Sequence, residues 1–333
     1  MLKPTFVLRA CSLFAATFAL SLRAQDLPLH QVLNGSESWE LISSGHQFTE
    51  GPSAAPNGDV YFVDYPTSQI FHINHATKQV SLFADNSQKT GGMMFGPDGL
   101  LYAAQAEAKR IVAYQPTDGS YETIAEGMDV NDLVVAGDGS IWFTDPPAGR
   151  IWYISPDRQT IRPVAEDLKP NGIILAHREG TIVTTDHDRP ALWAFRAEPD
   201  GSLTAGAPVY GPLELAFGHI RPDSDGLTVD TQDRVFVATR AGIQVFDTED
   251  RFSGVIKMPE RGKRPANLTF GGPDFDHLYV AQQDKVYRIK TQTTGLPYYA
   301  RDYEAMARER EERIRRWREE RARREREAAA NRR

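Results

Sequence analysis

Six positions recur along the chain: Glu50, Gly91, Asn131, Asn171, Asp225 and Asn267, spaced 41, 40, 40, 54 and 42 residues apart. Each stands seven residues before a turn (eight for Asn171), where an apolar run begins. A strand favours Val or Ile at such a place, yet five of the six residues carry a carboxylate or an amide. Two carboxylates and three amides converging on one axis make a donor set for a hard cation. Calcium accepts about six to eight oxygen ligands at roughly 2.3–2.6 Å, with water completing the shell. The plainer alternative is that these groups satisfy strand ends around a water-filled channel. No histidine falls at these positions and Cys11 is the only cysteine, so the set is not built for soft metals.

The elements that must bring these residues together repeat about every forty residues. Six segments share one grammar, from EGPSAAPNGDVYFVD at Glu50 through GGMMFGPDGLLYAAQ, NDLVVAGDGSIWFTD, NGIILAHREGTIVTTD and DGLTVDTQDRVFVAT to NLTFGGPDFDHLYVA at Asn267. Asn57-Gly58, Asp98-Gly99 and Asp138-Gly139 between apolar runs are hairpin turns. Third strands follow as QIFHI, RIVAY, RIWYI, ALWAF, GIQVF and KVYRI, and fourth strands at 80–84, 121–125 and 161–165. Six four-stranded units predict an all-β, six-bladed propeller over residues 25–300. The one long interval implies an insertion around residues 198–221. The sixth unit ends without a fourth strand, and WELIS at 39–43 is the expected replacement, closing the ring from the N-terminus and hiding both sheet edges.

Both ends of the chain differ from this body. Lys3 and Arg9 precede an apolar run over 11–22, the layout of a secretory leader covering residues 1–24 and too short to span a bilayer. Export to the periplasm or beyond the cell follows, and no other stretch suggests a membrane span. With Cys11 in the leader, the exported chain holds no disulfide. Residues 301–333 are nearly all Arg, Glu and Ala, with i,i+4 pairs such as Glu304/Arg308, Glu312/Arg316 and Glu320/Arg324. They predict a charged, projecting α-helix, open to an unidentified partner. The chain's net charge is −7; the leader contributes +3 and residues 301–333 contribute +4, which leaves −14 on the body. An acidic body argues against nucleic acid and suits a cation or a small neutral ligand. No G-x-S-x-G, P-loop or dinucleotide fingerprint is present.

Four boxes carry a resemblance: Glu50-Gly51-Pro52, Asn131-Asp132-Leu133 with Phe143-Thr144-Asp145, Pro170-Asn171-Gly172, and Asp225-Gly226-Leu227 with Val229-Asp230. At this spacing the chain from about residue 39 to 290 resembles the regucalcin-like gluconolactonase propellers. The resemblance implies that Glu50, Asn171 and Asp225 ligate a divalent metal, and that Asn131 contacts metal or substrate. It implies Ca2+ first, with Zn2+, Mn2+ or Mg2+ as other candidates, a small lactone as substrate, and Asp225 as the base for an attacking water. Asp132 and His187 are the further substrate contacts. Asp145, Asp186 and His187 end second strands at the same mouth and are alternative bases, His187 having the better intrinsic pKa. Tyr65, His46 and His219 are further candidates for lining it. Some family members carry a substrate-binding Arg two residues before the Asn131 position, where this chain has Asp129. Two function classes stay open: a metal-dependent lactone hydrolase, and a non-catalytic propeller that binds a ligand or protein at the same mouth.

Overall fold

The computed structural model describes residues 29–176 and 179–295, so the leader and the charged tail lie outside the described residues. Twenty-four strands form six antiparallel sheets of four, and the one helix among the described residues is the single turn Leu29–Val32. The inner strands are Thr49–Ala54, Thr90–Phe95, Leu133–Val135, Pro170–Ala176, Leu227–Val229 and Pro265–Gly271. Each packs against the inner strand of the next blade, and the last returns to the first, so the ring is closed. In the sixth blade Glu40–Ser44 pairs antiparallel with Lys285–Lys290, with Glu40 opposite Arg288 and Ser44 opposite Lys285.

Burial grades outward from the hub. Second strands such as Val60–Asp64, Ile141–Asp145 and Val235–Thr239 are buried at every residue, because both faces of each blade are covered by its neighbours. Their Val, Ile and Phe content suits a pleated surface covered on both sides. Outer strands such as Val80–Ala84 and Ile161–Ala165 are half-buried or exposed. The hairpins between first and second strands take the geometry their residues dictate. Asp138 Oδ1 accepts the Ser140 N–H at 2.8 Å, while Gly139 sits at φ 88°, a left-handed conformation that costs glycine nothing.

The structure redraws the long interval. Leu203–Tyr210 is the regular fourth strand of the fourth blade, paired with Leu192–Ala197, so the true insertion is the loop over 211–224. The fifth blade's fourth strand is Phe252–Ile256. The 211–224 loop joins an outer strand to the next inner strand and therefore lies on the face where the six recurring positions begin their strands. Ion pairs of Arg221 with Asp188 (2.9 Å) and of Arg240 with Asp223 (2.5 Å) hold it there, while Phe217 and Ile220 stand almost fully in solvent.

Candidate functional site

The mouth is built where the inner strands start. Glu50, Asn131, Asp132, Asn171, Asp225 and Asn267 line one open cavity of about 170 Å³, together with Phe48, Tyr65, Gly91, Gly92 and Arg264. That volume is several times the ~30 Å³ share of one water, enough for an ion and part of a small ligand. Asp132 and Asn267 also face the channel beneath, which is walled by Met93, Leu133, Ile174, Leu227 and Leu268. The polar ring thus sits above a channel of mixed lining, in which Ser53, Thr228 and Thr269 stand beside these apolar side chains.

Glycines set how closely the ring can draw in. A Cβ at Gly92 would lie 1.7 Å from Asp132 Oδ1, and one at Gly226 would lie 2.0 Å from the Asn267 side chain. Both blades can approach only because these positions lack a side chain. The same holds for the one hub position without a polar group: a Cβ at Gly91 would lie 2.3 Å from the Asn131 carbonyl oxygen.

Local hydrogen bonds aim the polar side chains. Leu133 N–H donates to Asp132 Oδ1 at 2.8 Å, Leu268 N–H to Asn267 Oδ1 at 2.8 Å, and Gly51 N–H to Glu50 Oε2 at 3.1 Å. The Asn267 amide faces Asp132 and the Asn171 amide faces Asp225, and each favours the ionised form of its carboxylate. Arg264 Nη1 lies 2.7 Å from Asp225 Oδ2.

Three carboxylates share this space, and each is pushed toward its protonated form. Burial, then the Asp225 charge, holds Glu50 well above the usual carboxylate range. Asp132 is pushed up to about 7, chiefly by burial and also by Asp225. Burial raises Asp225 as well, against the opposing charges of Arg264 and His187. Burial and crowding of like charges are the conditions a cation relieves. Among the described residues no three Asp, Glu, His or Cys side chains converge closely enough to hold an ion by themselves. An ion here needs the amide oxygens as well. The set is all oxygen and carries surplus negative charge, so it fits a hard divalent cation.

The other candidates separate. Tyr65 lines the cavity. His187 lies at the rim, close enough for its charge to act on Asp225 and Asp223, but its side chain is not part of the lining. Asp145 and Asp186 do not serve the mouth. Asp145 accepts hydrogen bonds from Ala148 N–H and Trp152 Nε1, and Asp186 accepts from the N–H groups of Lys169, Asp188 and Arg189. They tie down neighbouring segments of the chain, as Asp64 does by accepting from the N–H groups of Gln47 and Phe48. His46 packs between Phe62 and Phe71 with Nε2 2.7 Å from Ser43 Oγ, and His219 stands in solvent on the 211–224 loop. Asp129 pairs with Lys109 at 3.0 Å, away from the cavity. The cation at the mouth is Arg264, three residues before the hub residue Asn267, a place that no repeat of the pattern marks.

Comparisons with known proteins converge on the same region. The model of the SMP-30/Gluconolactonase/LRE-like region matches residues 48–283. A gluconolactonase of Zymomonas mobilis is 24% identical over 304 residues, covering 80% of this chain and 85% of its own. A lactonase drp35 of Staphylococcus epidermidis is 26% identical over 250 residues, covering 68% and 74%. Among solved structures, the calcium-binding protein regucalcin of Agrobacterium tumefaciens superposes with a TM-score of 0.66 at 15% identity, over 80% of this chain and 98% of its own.

Proposed function

Because the chain belongs to the SMP-30/gluconolactonase/LRE-like family, we propose that it is a hydrolase that opens a lactone at the mouth of its propeller with the help of a divalent cation. The observation that carries this reading is the convergence of Glu50, Asn131, Asp132, Asn171 and Asp225 on one cavity. Relatives named gluconolactonase and lactonase support the substrate class. Glu50, Asn171 and Asp225 would hold the ion, with Asn131 completing the shell or meeting the substrate. The all-oxygen set favours calcium, the ion named for one solved neighbour, over zinc, manganese or magnesium. When bound there, the cation would polarise the lactone carbonyl and offset the charge that develops on its oxygen.

The protein's own groups do the rest. Asp225 is the base: burial raises its proton affinity, and in the metal-free protein the charges of Arg264 and His187 oppose its protonation. It takes a proton from a water that adds to the carbonyl carbon. The ring C–O bond then breaks, the ring oxygen leaves with a proton, and a hydroxy acid results. The Asn131 amide orients the lactone. Asp132 on the floor donates or accepts a hydrogen bond from the bound ring, and His187 meets the substrate at the rim. The leader-like first 24 residues support a reading in which this chemistry runs outside the cytoplasm.

The test is a proton-release assay on sugar and aliphatic lactones, run after chelation and again after calcium, zinc or manganese is restored. Turnover should vanish with chelator and return with metal, and Asp225→Ala should show none. Turnover that survives complete metal removal would overturn the cation's role. A metal-dependent rise in melting temperature with no turnover on any lactone would favour a ligand-binding propeller.

A further inference from the structure

We infer that Arg264 is the resident counter-ion of the carboxylate ring, and that a divalent cation enters the mouth by displacing its guanidinium from Asp225. The inference rests on the reading of the mouth as a cation site and adds what sets its affinity. Among the side chains that line the cavity, Glu50, Asp132 and Asp225 are acidic and Arg264 alone is basic. Its guanidinium lies 2.7 Å from Asp225 Oδ2, and Asp225 is its one ion-pair partner among the described residues. An ion held by Glu50, Asn171 and Asp225 would share that carboxylate with a second positive charge, so the two compete for it.

The two side chains differ in freedom. The Asp225 side chain is 7% exposed, whereas the Arg264 side chain is 24% exposed. The carboxylate is fixed and the guanidinium is the group that can leave. Arg264 comes from the connection between the outer strand of the fifth blade and the sixth blade. That connection is pinned by ion pairs of Lys263 with Glu260 (2.7 Å) and Asp284 (2.8 Å). Those pairs do not involve Arg264, so its side chain can swing toward solvent without loosening the backbone that presents it.

Calcium calorimetry on the intact protein, with Arg264→Gln and Arg264→Lys as variants, tests the idea without any turnover. Gln removes the charge and keeps a hydrogen-bonding amide, so calcium should bind tenfold or more tightly. Lys keeps the charge and should stay within about threefold of the parent protein, as expected of a point charge on a flexible stem. Metal-free Arg264→Gln should also melt below the parent protein, and calcium should restore more of its stability. An Arg264→Gln protein that is folded by its melting transition but binds calcium no more tightly, or more weakly, overturns the displacement. If calcium, zinc and manganese give no heat with the parent protein or either variant, the cation site itself is refuted and the displacement falls with it.

Discussion

Each carboxylate at the mouth is held by the fold in a state that water would not favour, and this sets a sign for its pH dependence. Asp132 is raised to about 7, and burial raises Glu50 and Asp225 as well. The folded protein therefore binds protons there that the unfolded chain, with carboxylates near 4, has released. For Asp132 this contribution to stability is complete below about pH 4 and is lost as pH rises through about 7. In chelator, the melting temperature of the parent protein should fall relative to Asp132→Asn between pH 5 and 8. Taking the difference removes the opposing histidines His46 and His75, whose pKa values burial lowers. Parallel profiles would mean that Asp132 is ionised throughout. A second contrast belongs to the ligands. Asp225→Ala removes a charged oxygen and should abolish calcium binding, whereas Asn131→Ala removes a neutral one and should weaken it by a smaller factor. Equal losses in calorimetry would place Asn131 among the essential ligands. These residues were legible in the sequence because they break a period of apolar strands at a fixed offset. Arg264 was not, because its offset from Asn267 occurs once and a side chain that reaches in from a connection leaves no periodic trace.

At the scale of elements, the turns were the legible part and the outer strands the obscure one. Asn57-Gly58, Asp98-Gly99 and Asp138-Gly139 demand a left-handed glycine, and each glycine takes it, at φ 87°, 79° and 88°. Leu203–Tyr210 escaped notice because an outer strand is half in water: only Tyr210 of its eight residues is buried, so no apolar alternation survives. Asp145, Asp186 and Asp64 show a different ambiguity. Sequence places Asp145 and Asp186 at the mouth, yet the oxygens of all three are taken up by N–H groups of neighbouring segments. A buried clamp joins the fifth blade to the end of the described chain. Arg234 Nε lies 2.6 Å from Asp230 Oδ2, and Thr293 Oγ1 both donates to Asp230 (2.8 Å) and accepts from Arg234 (2.9 Å). Both charged side chains are almost wholly buried. Asp230→Ala would leave the guanidinium buried and unpaired, which costs about 3–5 kcal/mol. Phe217→Ser on the 211–224 loop, which gives up no contact, should shift stability by no more than about 0.5 kcal/mol. Denaturant midpoints read both, and a clamp variant as stable as the loop variant would show that water reaches Arg234.

For the whole molecule, the ring makes one site out of parts far apart in sequence. Glu50 belongs to the first blade, Asn131 to the third, Asn171 to the fourth and Asp225 to the fifth, and none of these strands is adjacent in the chain to all the others. An ion bound by them therefore has affinity only for the closed ring, and its binding free energy adds to the stability of folding. At a calcium concentration a hundred times its Kd the increment is about 2.7 kcal/mol. It should appear as a higher melting temperature and a higher denaturant midpoint, with the slope of the denaturant transition unchanged, because the surface exposed on unfolding is the same. The pairing of Glu40–Ser44 with Lys285–Lys290 makes the same point from the other side. Deleting residues 25–44 would leave the outer edge of the sixth blade open and let the first and sixth blades part. The truncated protein should then melt lower and gain less from calcium than the intact one. It should also associate at high concentration through the freed edge. If light scattering and the calcium increment are the same with and without residues 25–44, the closing strand does not hold the ring that assembles the site.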